Sequence, residues 1–465
     1  MQILGNGCVK RNRAMSSLKN GQESRKVKYG KPCLIALILV SALFAAQCAH
    51  ALEYSLVDLY RMTLDRAERI RVSKEDVLIA EKGKDRARSA FLPAISAFGS
   101  YTRYSTDKSV NFGSSSILLQ PEGAASWGVG FTQALSTGGK EITAYEISKK
   151  DIERSHHDLD AVKENSLFAV ATSYYDLLRA KKALEIAQTN VERLTKHRDD
   201  AAVRLKVGEV TKTDLLRAEA ELSGARSELV RAENILKLAK VVLARVVGIA
   251  GDFDVTEPDA QVGTTGPTLD SLKETASRER AELKSYAIQK KMAEDRVDLA
   301  KSAYWPTISI EGGYTGQAQN PSLPFAVNDS MWAGVTLNIP IFEGGLRKAE
   351  VGQAEAKSRQ SRLQYDDLQK TVTVEVENSW LDYQTQQGVL QSLRDQVKFA
   401  DDNYNSVSKQ YKFGLANSID IIDANTLLLT AERQLVDADF NYRLSLVRMQ
   451  RTTGVLLKTI LAEIH

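Results

Sequence analysis

The long middle of the chain is written in alternating threes and fours. Leu390, Leu393, Val397, Ala400, Tyr404, Val407 and Tyr411 keep that spacing, as do Leu215, Ala218, Leu222, Ala225, Leu229, Ala232, Leu236, Ala239 and Leu243, and again Leu428, Ala431, Leu435, Ala438 and Tyr442. Such a heptad seam belongs to paired helices, and its alternation of large and small residues lets antiparallel partners approach closely. No proline occurs from Gly139 to Val207 or from Gly345 to Phe413. Each stretch therefore predicts one outgoing helix of roughly 100 Å at 1.5 Å per residue.

Both outgoing helices stop at equivalent places, Lys206–Asp214 and Lys412–Asp420. Each stop has a glycine, Gly208 or Gly414, that can take φ > 0 and end a helix. A hydroxyl residue follows, Thr211 or Ser418, expected to cap the return helix, and then Asp214 or Asp420, favoured by the dipole of the first turn. The two stretches predict two helical hairpin tips.

Elsewhere the period changes to two. Ile308, Ile310, Gly312 and Tyr314 alternate with Ser309, Glu311 and Gly313, and Ile95, Ala97, Gly99 and Tyr101 do the same more weakly. These are strands. Second strands are expected at Ser126–Leu135 and Met331–Ile341, across loops at Ser105–Ala124 and Gln317–Ser330. Each strand pair is preceded by one expected helix, from Ser55 to Phe91 and from Thr268 to Tyr304, stopped by Pro93 and Pro306. The glycine pairs Gly138-Gly139 and Gly344-Gly345 read as corners from strand back to helix.

The order is the same twice. Ala90-Phe91-Leu92-Pro93-Ala94-Ile95-Ser96 returns as Ala303-Tyr304-Trp305-Pro306-Thr307-Ile308-Ser309. Gly138, Ser173, Gly208, Asp214 and Gly248 return as Gly344, Ser379, Gly414, Asp420 and Gly454 at one constant offset. The chain is an internal duplication: a first repeat at 52–249, a Gly-, Asp-, Thr- and Pro-rich linker at 250–267, a second repeat at 268–455 and a short tail at 456–465.

Composition then places these repeats. Residues 1–51 hold basic residues, an apolar run from Cys33 to Ala46 and the small-residue site Ala49-His50-Ala51, the pattern of a secretory signal. All three cysteines, Cys8, Cys33 and Cys48, lie in it, as do eight of the 62 Lys and Arg and one of the 59 Asp and Glu. The remainder has no thiol and a small net negative charge, which argues against disulfides, thiolate chemistry and a nucleic-acid partner. Beyond the leader no apolar run approaches the roughly 20 residues of a membrane helix, so a membrane location has to rest on β-strands. Strands of about ten residues suit that role. Trp127, Val129, Phe131, Val335, Leu337 and Ile339 are expected to face lipid, with Trp332 and Tyr314 near its boundaries.

Four strands cannot close a barrel, and an open edge in lipid leaves backbone groups unpaired. Three chains would supply twelve. With that architecture the sequence resembles the TolC-type outer-membrane efflux proteins over Leu52–Gly454. The resemblance is carried by the duplicated junctions Leu92-Pro93 and Trp305-Pro306, by Ile339-Pro340-Ile341-Phe342-Glu343-Gly344-Gly345, and by the tips Gly208–Asp214 and Gly414–Asp423. It implies a mixed α/β membrane protein: a homotrimer with one 12-stranded β-barrel in the outer membrane, four strands per chain, continuous with a long α-helical coiled-coil tunnel across the periplasm. It implies a passive exit duct, engaged at its tips by a periplasmic adaptor and an inner-membrane transporter of RND, ABC or MFS type, and no cofactor.

Asp420 and Asp423 share a helix face, and threefold symmetry would gather six carboxylates. By resemblance they form the periplasmic constriction, where such a ring favours cations. Asp420 alone also suits a first-turn acid, whereas the twin of Asp423 is Arg217, so the duplication does not dictate it. Tyr411 and Asp214 match positions that latch a closed tip in the family, and Ala416 stands where a basic residue would follow the second glycine. The remaining candidates are bland. His156-His157 are adjacent and diverge on a helix, and Gly138-Gly139-Lys140 lacks the glycine and hydroxyl of a phosphate loop. No nucleophile–base pair or metal-ligand spacing stands out, so catalysis is not expected. The competing readings are the exit duct of a type I protein-secretion system and a periplasmic coiled-coil scaffold without a pore.

Overall fold

A computed structural model describes residues 52–257, 268–322 and 327–464; the signal segment and the later part of the linker lie outside them. Two helices of 67 residues, α3 (Lys140–Lys206) and α7 (Leu346–Lys412), run out to the tips, and two of 36 residues, α4 (Lys212–Val247) and α8 (Ser418–Thr453), run back. The heptads do as their spacing requires. Leu194 meets Leu222 and Ala225 in the first hairpin, and Ala400 meets Leu428 and Ala431 in the second.

The expected opening helices are each broken in two, α1 (Leu56–Arg66) and α2 (Glu68–Ser89), and α5 (Leu269–Glu279) and α6 (Ala281–Lys301). The breaks fall at Ala67 and Arg280, both extended (ψ 125° and 119°), while their N–H groups still reach Thr63 and Ala276 carbonyls at 3.0 and 3.1 Å. Neither residue is proline or glycine, so the bend comes from tertiary packing: α1 turns inward to bury Leu59, Tyr60 and Thr63.

The main core forms there, midway along the molecule, around Leu167, Val170, Tyr174, Leu177, Leu178, Leu243 and Phe440. It also corrects the linker and the tail. Phe253–Val255 forms strand β6 beside β1 (Leu52–Tyr54), with Phe253 and Val255 buried. Residues 456–464 form helix α9, whose Leu456 and Ile460 enter the core. The 3.6-residue spacing of Leu456, Leu457, Ile460 and Leu461 gives α9 one apolar side.

The strands β2 (Ala94–Arg103), β5 (Gly123–Ser136), β7 (Thr307–Asn320) and β8 (Asp329–Asn338) form one antiparallel sheet in the order β2-β5-β7-β8. β5 and β7 reach 14 residues, longer than the pattern suggested. β8 stops at Asn338, short of Ile341, because Pro340 cannot donate to a ladder. The first loop holds a hairpin of its own, β3 (Lys108–Phe112) and β4 (Ser115–Gln120).

Register sorts the faces. Ile95 stands opposite Phe131, Ala97 opposite Val129, Val129 opposite Tyr314, Ile310 opposite Val335 and Ile308 opposite Leu337, so one face is apolar. The other carries the pairs Ser100–Ser126 and Thr315–Ser330, each joined by a hydroxyl bond of 2.8 Å. Trp332, expected with Tyr314 at the boundaries of the lipid, lies opposite Gly313 on this polar face instead of on the apolar one. Large rings sit over glycines: Trp127 over Gly316, Phe131 over Gly312 and Phe98 over Gly128.

Candidate functional site: the helical tips and the gate carboxylates

Both tips turn on left-handed glycines, Gly208 at φ 79° and Gly414 at φ 75°. Glu209 N donates to Arg204 O at 2.9 Å and Leu415 N to Gln410 O at 2.8 Å, which ties off the outgoing helices. At the first tip Thr211 is the cap. Asp214 N donates to Thr211 Oγ1 (3.3 Å) while Thr211 N donates to Asp214 Oδ2 (2.9 Å), a reciprocal capping box. The hydroxyl and backbone bonds from Thr211 hold the Asp214 carboxyl below its ordinary range.

At the second tip the cap is Asn417, one residue before the expected Ser418. Its Oδ1 accepts from Ile419 N (2.8 Å) and Asp420 N (3.0 Å), and Asn417 N donates to Asp420 Oδ2 (2.8 Å). Asparagine caps as well as serine, and using it frees Ser418 to turn inward. Ser418 is buried, its Oγ 3.1 Å from His197 Nε2. Asp420 is thus a capping acid and is also exposed. Asp423, one turn on, is exposed too, and both line a shallow concavity with Gln410, Leu415, Ala416 and Leu427.

Tyr411 is only 2 % exposed, so it belongs to the packing of the tip rather than to its outer surface. Its ring meets the His197 ring edge-on at 5.2 Å, and the Arg204 guanidinium lies 4.7 Å from its centroid. Arg204 Nη2 also donates to Lys412 O at 2.8 Å, so Lys412 joins the tip through its carbonyl. Tyr411 Oη has no hydrogen-bond partner among the described residues, and Thr211 engages the Asp214 carboxylate. The most exposed apolar residues at the turns are Val207, Phe413 and Leu415.

One set of functional contacts escaped the sequence reading. Helix α3 lies antiparallel to α8 along a seam of polar pairs: Asn165 with Arg451 (2.8 Å), Arg179 with Asn441 (2.8 Å), Arg193 with Glu432 (2.5 Å), Asn190 with Asn425 (2.8 Å) and His197 with Ser418. Leu–Ala heptad contacts pack within each hairpin, and the seam between hairpins adds these polar pairs to apolar contacts such as Tyr175 with Phe440. The signal was present as polar residues at heptad spacing, Asn190 and His197 on α3 and Ser418, Asn425 and Glu432 on α8.

At the far end, Pro93 and Pro306 stand just before β2 and β7. Gly139 and Gly345 open α3 and α7 in left-handed conformations (φ 85° and 87°). Gly138 is the tight point. A Cβ there would lie 2.5 Å from Trp305 Cβ and 2.7 Å from Ser302 O, so the corner of the first repeat seats on the helix–strand junction of the second. Gly344, its twin, meets nothing within 4 Å. His156 and His157 stay on α3, and no cluster of metal-ligating side chains occurs among the described residues.

Known proteins share the fold. The model of the family described as outer membrane efflux protein matches residues 59–249 and 272–455, which are the two repeats. The outer membrane protein TolC of Vibrio cholerae is 23 % identical over 389 residues, covering 82 % of this chain and 86 % of the relative. The outer membrane efflux protein BepC of Brucella suis is 23 % identical over 327 residues, covering 70 % of this chain and 71 % of the relative. Among solved structures, the CmeC outer membrane channel of Campylobacter jejuni superposes with a TM-score of 0.74 at 16 % identity, covering 88 % of this chain and 89 % of that one. With its strand pairs and paired helical arms, the chain belongs to the outer membrane efflux protein family and is a channel of the outer membrane with a periplasmic helical tunnel.

Proposed function

We propose that three copies of this chain form the exit duct of a tripartite efflux system, passing small molecules from an inner-membrane transporter and its periplasmic adaptor to the outside. The observation that carries the trimer is the way one repeat meets the next. Within the chain, β5 of the first repeat pairs with β7 of the second, and Gly138 seats on Trp305. Repeating that step once more brings β8 against β2 of the next copy, and gives Gly344 the partner it lacks, Leu92 of that copy. After three chains the edges are closed, as lipid requires, and the apolar face of the sheet is turned outward.

The same step fixes a register. Val129 opposite Tyr314 inside the chain becomes Val335 of one copy opposite Tyr101 of the next. At the other end the carboxylates Asp420 and Asp423 encircle the axis as the constriction. Exposed Val207, Phe413 and Leu415 offer apolar contacts for the adaptor beside the turns at Gly208, Thr211, Asp214 and Gly414.

Cysteine substitution at Val335 and Tyr101 tests the arrangement. The cross-linked protein should run as a covalent trimer, and the reconstituted wild type should conduct in planar bilayers. No trimeric product at this or neighbouring registers, or release of the wild type from membranes by salt alone, would sink the reading.

A further inference from the structure

We propose that His197 is an acid-sensitive pin of the tip: while its ring is neutral it holds the start of α8 on α3, and once protonated it lets that start go. The geometry points to this. His197 is 5 % exposed, with Nε2 at 3.1 Å from the buried Ser418 Oγ and its ring against Tyr411 of α7. Nδ1 is buried without a partner among the described residues. A neutral ring has one N–H and one bare nitrogen, so it needs one partner at Ser418 and tolerates an empty Nδ1. A protonated ring has two N–H groups, of which Ser418 can take one. The other is left buried and unpaired, a costly state.

The charges around the ring add to this. On α3, Arg204 lies over the Tyr411 ring, and Arg193, one turn before His197, is held by Glu432 of α8. Ser418 is the first residue of α8, whose N-terminus carries partial positive charge. Asp200 of α3 is the acid that favours the cation, and Asp200 and Asp214 of α4 both act on the neighbouring Tyr411. Burial outweighs Asp200 and holds His197 below the usual histidine range. Further up the seam the Asn190–Asn425 pair has no ionisable group, so release is local to the tip.

The sign follows. Above the ordinary histidine range, docked and released tips are both neutral here, and docking is at full strength. As pH falls below it, the released form takes up a proton that the docked form resists. The ratio of released to docked tips then rises by up to about tenfold per pH unit.

Hydrogen exchange by mass spectrometry on the full-length protein in lipid nanodiscs tests the pin. The segment Ser418–Leu428 is followed at pH 7.5 and 5.5, with intrinsic exchange corrected. Wild-type protection should fall at pH 5.5 by several-fold, up to about tenfold, whereas His197→Gln should be equally protected at both. Ser418→Ala, which keeps the histidine, should be less protected at pH 7.5 and still lose protection in acid. An unchanged wild type, or His197→Gln with the wild-type pH response, would overturn the proposal. If His197→Gln does not assemble, Ser418→Ala decides: wild-type protection at pH 7.5 would overturn it.

Discussion

Asn425 donates through Nδ2 to Oδ1 of Asn190 at 2.8 Å, with both side chains buried where α8 crosses α3. A single replacement of either by alanine strands the other and should weaken the seam by about 1–3 kcal/mol, whereas Asn190→Leu with Asn425→Leu should be near neutral or stabilising. Conductance separates them. Each single variant should conduct more than wild type and the double variant no more. Equal conductance in all would mean that the seam does not restrain the tip.

The two carboxylates proposed for the gate should part company under mutation. Asp420 completes a capping box with Asn417 and Asp423 does not. Asp423→Ala should therefore lower cation selectivity with unchanged thermal stability. Asp420→Ala should lower selectivity and also destabilise α8, by about 0.5–2 kcal/mol per chain. The double variant should show weakened block by multivalent cations in bilayer recordings; unaltered block and selectivity would place the ring away from the constriction.

Glu164 of α3 is 6 % exposed in the middle of the molecule, and burial, with Glu282 nearby, pushes its carboxyl up to about 7. An unfolded glutamate ionises near 4.5. Below that value both states hold the proton and stability is full. Between it and about 7 the unfolded chain gives up a proton the folded one keeps, so up to about 3 kcal/mol is lost as pH rises. Glu164→Gln should unfold like wild type at pH 4 and at a higher temperature at pH 8. A gap of one size at both pH values would rule this out.

Twin glycines should respond unequally. Gly248 and Gly454 end α4 and α8 with φ of 79° and 75°. A Cβ at Gly248 would meet Arg66 Cβ at 3.7 Å, an ordinary contact, so Gly248→Ala should cost only the left-handed strain of about 1–2 kcal/mol. At Gly454 it would lie 2.7 Å from Arg280 Cα, where backbone has to move. Gly454→Ala should melt several degrees lower than Gly248→Ala; equal melting would show that the second repeat has slack at its helix break.

Much of this molecule is legible in its sequence because its forces are periodic. Heptads define α3, α4, α7 and α8, and strict alternation defines β7. What stayed hidden depends on neighbours distant in the chain. Arg280 bends the opening helix of the second repeat without proline or glycine, buried against Glu282 and Glu375 at 3.2 and 2.6 Å, and Ala67 does the same with no charge. Phe253 and Val255 looked like linker because three residues carry no period. Ser418 looked like a cap until Asn417 took that place, and only its heptad spacing to Asn425 and Glu432 hinted at its inward turn to His197.

The two long helices have 67 residues each and the return helices 36 each. The outer loops differ, for the first holds the hairpin β3–β4 while the second spans only 321–328. Staves of one length end in a level rim. The two outer loops differ from each other, whereas on the inner side the equal helices act as a gauge. Adding a heptad to one repeat alone would tilt that rim against whatever meets it, and adding the same heptad to both would lengthen the tube and keep it true.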